Sequence, residues 1–176
     1  MLSAFTATAT AEVQADILAQ LELRDPVKVV TGFDRPNLYF AVQQPKRKQP
    51  VLTALVEARR DRSGLVYCAL RSGVAKICAL LFQRGIPATR YHAGLSEEER
   101  QRHQDAFQFD RKPALVATNA SGMALDKSTV SFVIQYNMPK SLDAYYQQAG
   151  RAGPDREAAQ AIRLYAPGDV APPPRL

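Results

Sequence analysis

The stretch from Ala114 to Asp155 constrains the fold more than any other part of the chain. A short apolar run, residues 114–117, leads into a polar loop, Thr118 to Ser128, and a second apolar run, residues 130–136, leads into a segment with helical character. Runs of this length are typical of buried strands in parallel sheets, which carry functional groups in the loops after their carboxyl ends. The stretch therefore predicts an α/β protein with a site in this loop and in the following helix.

The same alternation extends along most of the chain. Helices that alternate with short apolar strands imply a mostly parallel sheet with helices on both faces. The predicted strands are Val27–Thr31, Leu38–Val42, Leu65–Ala69, Ala88–His92, Leu115–Thr118, Phe132–Tyr136 and Ala161–Tyr165. The predicted helices are one within Met1–Leu23, then Val51–Asp61, Gly73–Arg84, Ser96–Phe109 and Leu142–Arg151.

Composition narrows the classes of partner and cofactor. The 176 residues carry a net charge of +6, which favours polyanionic partners such as nucleic acid and also occurs for solubility alone. Cys68 and Cys78 form no CxxC pair and have no nearby histidine, so a zinc site is not expected. No apolar run approaches the roughly 18 residues that a membrane helix needs.

Two elements of a self-sufficient nucleotide site are missing from the sequence. There is no phosphate loop of the GxxxxGK[ST] type, and no acidic pair follows a strand where it could hold magnesium. The chain therefore has no self-sufficient nucleotide site.

Six short motifs occur in order along nearly the whole chain. They are Phe5–Ala9, Phe33–Leu38, Val66–Cys68 with Arg71–Ser72, Tyr91–Leu95, Val116–Met123 and Tyr145–Gly153. Together they resemble the motifs of the second motor domain of RecQ-type DNA helicases. The FDRPNL segment favours this family over the DEAD-box RNA helicases, which share only the more general motor pattern.

The resemblance implies a RecA-like fold and half of an ATP-driven motor that unwinds DNA in the 3′ to 5′ direction. In the family two RecA-like domains enclose ATP, and Mg²⁺ is held mainly by the first of them. Residues 1–23 would be the end of the first motor domain and a connecting helix, 24–166 the second motor domain, and 167–176 a Pro-rich tail or linker. Expected partners are single-stranded or duplex DNA and the first RecA-like domain, with no membrane; the location would be the bacterial cytoplasm and nucleoid or the eukaryotic nucleus.

The resemblance assigns ATP-facing roles to four residues, three of which have a simpler alternative. Arg151 would reach the γ-phosphate, although a helix-end arginine can also serve the helix dipole. Gln147, one helical turn earlier, would orient the phosphate or its attacking water, or is a surface glutamine. Gly122 and Asp126 would face the nucleotide, with Asp126 near the ribose hydroxyls or simply a turn residue.

Five further residues are candidates for nucleic-acid contacts. Thr118 and Asn119 leave a strand at its carboxyl end, where hydroxyl and amide groups bind phosphate. Arg71 and Ser72 open a helix, where Ser72 is equally suited to be the N-cap. His92 also ends a strand, although a single histidine is more often structural.

The chain departs from the family pattern at three positions. The sixth motif of the family carries two arginines, GRxGR, and Pro154 stands here in place of the second, which is usually credited as the finger that reaches ATP. Proline has no charge and no N–H, so it cannot take that role. In the fifth motif Ala124 replaces glycine and Ser121 replaces phenylalanine. A motor-like domain that has lost catalysis and serves as a DNA-binding or scaffolding module is therefore the second hypothesis, and half of a DEAD-box-type RNA helicase is the third.

Overall fold

A computed structural model describes residues 3–6, 9–22, 25–30, 35–118, 127–154 and 156–169. The chain divides into two compact units, Met1–Arg35 and Pro36–Leu176. In the first unit, helix α1 (Ala11–Gln20) begins at Thr10, whose hydroxyl accepts a hydrogen bond from the backbone N–H of Val13 at 3.3 Å. This is the N-cap that the threonines of the segment predict.

The second unit is built on a six-stranded sheet in which every pair of neighbouring strands is parallel. The strand order is β1-β6-β5-β2-β4-β3. The strands are β1 (Leu38–Gln43), β2 (Ser63–Cys68), β3 (Ala88–Tyr91), β4 (Ala114–Thr118), β5 (Val130–Gln135) and β6 (Ala159–Leu164). The helices are α2 (Lys48–Glu57), α3 (Arg71–Gln83), α4 (Glu97–Gln108) and α5 (Leu142–Ala149), and a 3₁₀ turn follows at Pro167–Asp169.

Helices cover both faces of this sheet, as predicted. On one face α2 and α3 contribute Leu52, Val74 and Ile77 to a buried apolar cluster, and on the other face α4 and α5 contribute Phe107 and Ala149 to a second cluster. All six residues of β2 are buried, which matches a strand covered on both sides. The predicted α/β class is confirmed.

Two helix ends have the local geometry that their sequences favour. Gly85 follows α3 with a φ of +65°, the left-handed conformation that glycine adopts most readily. Ser96 and Glu99 form a reciprocal capping box at the start of α4, in which each side chain accepts a hydrogen bond from the other residue's backbone N–H.

The predicted elements differ from those observed in one strand and at several element ends. Residues 27–30 form no strand, and Thr31 lies outside the described residues, so the strand predicted at Val27–Thr31 is wrong over its described part. Val27 is 91% exposed there, and an alternating apolar pattern makes a strand only where a core and a partner strand receive it. Helix α2 begins three residues before the predicted Val51, and α5 ends at Ala149 rather than at Arg151.

Hydrogen bonds from a buried lysine stabilise the turn after α4. The ammonium group of Lys127, which is only 5% exposed, donates to the backbone oxygen of Gln108 at 3.2 Å and to the carboxylate of Asp110 at 2.8 Å. Asp110 also accepts a hydrogen bond from the Ser63 hydroxyl at 2.8 Å. The hydrogen bonds from Lys127 and Ser63 lower the pKa of the Asp110 carboxyl below its ordinary value of 3.8.

We expect the replacement Asp110→Asn to remove an acid-sensitive part of the stability. Because the pKa is lower in the folded state, the carboxylate stabilises the fold above the unfolded-state value near 3.8, and this contribution is lost as the pH falls through the folded-state value. The carboxylate is 66% exposed, so screening limits the loss in Asp110→Asn to roughly 1 kcal/mol near neutral pH. Urea unfolding at several pH values measures it, with Glu57→Gln in an exposed pair as the control. An equal difference from wild type at pH 7 and at pH 3 would contradict the assignment.

Candidate functional site

Four of the predicted nucleic-acid residues lie at the carboxyl ends of three neighbouring strands. Arg71 and Ser72 begin α3, which follows β2; Thr118 ends β4; and His92 follows β3. The register pairs Cys68 of β2 with Thr118, and β4 lies between β2 and β3. Parallel strands thus bring residues distant in sequence to one edge of the sheet, and we call these four residues the strand-end group.

A tight turn holds His92 beside Arg71. The Nδ1 atom of His92 accepts a hydrogen bond from the Gly94 backbone N–H at 3.2 Å, which leaves the neutral ring's proton on Nε2. The side chain of Arg71 lies across Gly94, because a Cβ atom added at Gly94 would be 2.7 Å from a terminal guanidinium nitrogen. The exposed Arg71 and half-buried His92 therefore form one basic corner.

The surroundings of His92 lower the pKa of its imidazole. Burial lowers the pKa of His92 below its ordinary value of 6.5, and the positive charges of Arg71 and Arg90 lower it further. The imidazole is therefore neutral near pH 7 and gains its charge only in acid. A bound phosphate would favour the charged form.

We expect the affinity of the chain for single-stranded DNA to rise as the pH falls from 7.5 to 5.5. The protonated His92 adds one charge-assisted hydrogen bond to phosphate, worth roughly a threefold to tenfold gain in affinity. Fluorescence anisotropy at constant ionic strength measures the gain, which His92→Gln should remove. The control is His103→Gln, because His103 makes its hydrogen bond with the Thr89 hydroxyl. Retention of the full pH response in His92→Gln would contradict a phosphate contact at this residue.

The other members of the predicted nucleic-acid set have different outcomes. Ser72 is not the N-cap of α3; that position is Leu70, and Ser72 is the second residue of the helix, with an exposed side chain. Thr118 is half-buried at the end of its strand. Asn119, together with the nucleotide candidates Gly122 and Asp126, lies outside the described residues.

The segment Gly150–Pro154, here called the arginine turn, is anchored to β5 from both sides. Two residues before it, the buried Gln148 side chain accepts a hydrogen bond at 2.9 Å from the side-chain amide of Gln135, the last residue of β5. Within it, the Gly153 backbone N–H donates to the backbone oxygen of Val130, the first residue of β5, at 2.8 Å. The arginine turn therefore runs along β5, and Ala152 is fully buried in the apolar cluster of that face.

Arg151 belongs to this turn and not to helix α5, where it was predicted. After Ala149 the backbone bonds shorten to the three-residue type, from Arg151 N–H to Gln148 and from Ala152 N–H to Ala149. Arg151 is half-buried. Burial raises the pKa of Tyr67 to about 12, and the positive charge of Arg151 opposes that shift. The guanidinium thus acts electrostatically on the last part of β2.

Gln147 does not share the setting of Arg151. Its side chain is exposed on α5, and among the described residues the two side chains have no hydrogen bond to each other. Helix α5 ends at Ala149, between these two residues. The structure leaves the surface alternative for Gln147 in place.

The position of the missing family arginine is open to solvent. Pro154 is exposed, and so is Arg156, which has a φ of +69° and donates its backbone N–H to the oxygen of Gly153 at 3.2 Å. An arginine at position 154 would therefore have room for its side chain. Arg151 is the half-buried arginine of this segment and Arg156 the exposed one.

One residue that contacts the arginine turn was missed by reasoning from the sequence. The Asn37 side chain donates hydrogen bonds to the backbone oxygens of Gly153 at 2.9 Å and Glu157 at 3.0 Å. Asn37 lies in the FDRPNL motif, and no local sequence pattern connects this motif with residues more than a hundred positions later.

The described residues contain no group of three His, Cys, Asp or Glu side chains that could hold a metal ion. Among the described helices, none has both the length and the apolar character needed to cross a bilayer.

Comparisons with known proteins agree with these features. The model of the helicase conserved C-terminal domain matches residues 47–154. The chain is 40% identical over 170 residues to the ATP-dependent DNA helicase RecQ of Haemophilus influenzae, covering 97% of the chain and 28% of the relative. It is 39% identical over 170 residues to RecQ of Bacillus subtilis, with coverages of 97% and 29%. The chain thus spans less than a third of the length of these relatives.

More distant relatives and a solved structure extend the comparison. Saccharomyces cerevisiae SGS1, an ATP-dependent helicase, is 34% identical over 169 residues, covering 95% of the chain and 12% of the relative. A solved structure of S. cerevisiae Dbp5, bound to Gle1 and IP6, superposes with a TM-score of 0.77 at 22% identity, covering 94% of the chain and 43% of Dbp5. This similarity supports the RecA-like α/β fold. The chain belongs to the helicase conserved C-terminal domain family, and over nearly its whole length it is similar to RecQ-type DNA helicases.

Proposed function

We propose that the chain is the second motor domain of an ATP-dependent DNA helicase of RecQ type that moves 3′ to 5′. The observation that carries the proposal is the placement of Arg151, half-buried in a turn anchored at both ends, in a chain that is 40% identical to a RecQ helicase. A first RecA-like domain would supply the phosphate loop and the Mg²⁺ ligands. The ATP γ-phosphate would then meet Arg151 across the cleft between the two domains.

Arg151 has the chemistry for this role. In phosphoryl transfer, negative charge spreads over the transferred group, and a fixed guanidinium stabilises that charge when it is held at the right place. The fork of an arginine can bond two phosphate oxygens at once. We also propose that Gln147 orients the attacking water. Gly122 and Asp126 are proposed to contact the nucleotide.

The strand-end group would form part of the track for single-stranded DNA. Arg71 supplies charge, Ser72 and Thr118 supply hydroxyl groups, and His92 adds charge in acid. Asn119 is proposed as a further phosphate contact. Contacts of this kind bind the backbone of any sequence and weaken as salt displaces them.

Two measurements on the 176-residue chain test its place as half of a motor. We expect weak single-strand binding that falls steeply with added salt, and negligible ATP hydrolysis. Arg71→Ala should weaken the binding, whereas Arg84→Ala, an exposed arginine at the other end of α3, serves as the matched control. Steady ATP turnover by the isolated chain would contradict the proposal.

A catalytically impaired, DNA-binding module is the second candidate, favoured by Pro154 where the family has arginine. DNA-stimulated ATP hydrolysis by the full-length protein that contains this domain separates the two candidates. Hydrolysis by the wild type supports the motor. No hydrolysis by the wild type, together with recovery in Pro154→Arg, would establish the module instead.

A further inference from the structure

Asn37 binds the backbone at two points, Gly153 in the arginine turn and Glu157 after it. It lies just before β1, and both of its side-chain hydrogen bonds go to backbone oxygens, of Gly153 at 2.9 Å and of Glu157 at 3.0 Å. Its own backbone oxygen accepts a hydrogen bond from the N–H of Ala159, the first residue of β6, at 2.9 Å. One residue thus contacts the end of the arginine turn, Glu157 beyond it and the first residue of β6.

The packing around Gly153 leaves no room for a side chain at this position. A Cβ atom added at Gly153 would lie 2.6 Å from the Asn37 side-chain nitrogen, 2.8 Å from the Glu157 oxygen and 2.9 Å from the Cβ of Ala159. Gly153 also has a φ of +61°, which residues with side chains rarely adopt. Only glycine permits this close approach, and the approach brings its carbonyl within reach of the Asn37 amide.

Arg151 is separated from this anchor by a single buried residue. Ala152 is fully buried, and Gly153 is bonded to Val130 on one side and to Asn37 on the other. Asn37 fixes the backbone on the C-terminal side of Arg151, and Gln148 fixes it to β5 on the N-terminal side. The backbone at Arg151 therefore has little freedom to move. The hydrogen bond from Asn37 comes from a residue that precedes β1 and lies outside the strands of the sheet.

We infer that Asn37 is a positioning residue for Arg151. It does not itself act on the nucleotide; its amide holds the arginine turn at the height over the sheet from which the guanidinium reaches its phosphate. The inference rests on the proposed function for the kinetic effect, but not for the structural one. A misplacement of about 1 Å can cost on the order of a hundredfold in rate, so loss of one of several anchors should cost roughly tenfold.

The kinetic test uses the full-length protein that contains this domain. Asn37→Ala and the isosteric Asn37→Asp both remove the amide donors, and each should lower kcat of the DNA-stimulated ATPase by roughly tenfold while DNA affinity stays within about twofold. The double variant with Arg151→Ala should be no slower than Arg151→Ala alone, because the two residues act through one guanidinium. The matched control is Gln160→Ala, which removes a side-chain hydrogen bond to Arg59 beside Ala159 and should leave kcat unchanged.

A purely structural role for Asn37 would give a different pattern. The melting temperature would fall in Asn37→Ala and in Gln160→Ala alike, kcat of the folded protein would stay at the wild-type value, and any loss would add to that of Arg151→Ala. Wild-type kcat in Asn37→Asp, or additive losses, would overturn the inference.

A second test needs no enzymatic activity and therefore stands even where the wild type hydrolyses no ATP. Hydrogen exchange on the 176-residue chain should show faster exchange over residues 150–159 in Asn37→Ala, with β2 and β4 unchanged. Unchanged exchange over 150–159 would overturn the inference by itself. An inactive wild type combined with faster exchange would instead count against the proposed motor function and leave the anchoring by Asn37 established.

Discussion

Replacement of Arg151 by alanine in the full-length protein that contains this domain is expected to lower DNA-stimulated ATP hydrolysis by about a thousandfold. An arginine that stabilises the transferred phosphoryl group contributes on this scale or more. The loss should appear in kcat, because the guanidinium acts on charge that develops in the transition state. Arg151→Lys should recover only part of the rate, since an ammonium group lacks the planar fork that bonds two oxygens. Steady-state kinetics over a range of ATP concentrations gives both constants.

Arg156→Ala is the matched control for this prediction. Arg156 is an exposed arginine five positions later, in the turn that leads back to the sheet. If Arg151 is the acting residue, Arg156→Ala should hydrolyse ATP at close to the wild-type rate. Near-normal hydrolysis in Arg151→Ala together with a large loss in Arg156→Ala would show that Arg156 replaces the missing family arginine.

The replacement Gly64→Ala is expected to destabilise the domain by about 2–3 kcal/mol, the cost of forcing extra atoms into a tightly packed core. Gly64 lies in β2 directly opposite Phe132 of β5. A Cβ atom at Gly64 would overlap three atoms of the Phe132 ring, all closer than the 3.0 Å that real Cβ atoms keep. Phe132 is 1% exposed, so its ring cannot relieve the overlap without displacing other buried groups.

Gly73→Ala provides the control for Gly64→Ala. Gly73 lies inside helix α3, and a Cβ atom there would be 3.4 Å from that of Cys68, an ordinary contact distance. Alanine favours the helix over glycine by about 0.8–1 kcal/mol, so this variant should be as stable as the wild type or more stable. Urea unfolding of both variants measures the difference. Equal stabilities for the two would contradict the close packing of Gly64 against Phe132.

The parts of the fold that local sequence determines could be predicted from it. β2, β4 and β5 are apolar runs bounded by polar turns, and burial on both faces of a parallel sheet requires that composition. Ser96 with Glu99 satisfies the free N–H groups of one helix end through residues three positions apart, so the motif alone indicates the cap. The carboxyl-edge placement of Arg71, His92 and Thr118 follows from parallel topology once the strands are known.

The parts that failed depend on contacts distant in sequence. Helical character continues through Gln147 to Arg151, but α5 ends at Ala149 because Ala152 and Gly153 descend onto the sheet. The hydrogen bond between Asn37 and Gly153 joins residues 116 positions apart, and only the pairing of β1 with β6 brings them together. Residues 27–30 carry the alternation of a strand and form none. The periodicity of a sequence indicates which side chains could be buried on one face of an element. Whether they are buried depends on the tertiary structure.

Strand separation by the full-length protein tests the central claim, that this domain serves a 3′ to 5′ DNA motor. The substrates are a DNA duplex with a 3′ single-stranded tail, the same duplex with a 5′ tail, and an RNA duplex with a 3′ tail, each labelled on the displaced strand. We predict ATP-dependent separation of the 3′-tailed DNA duplex alone, and its loss in Arg151→Ala. Failure of the wild type to separate it while Pro154→Arg succeeds, or preferential separation of the RNA duplex, would contradict the claim.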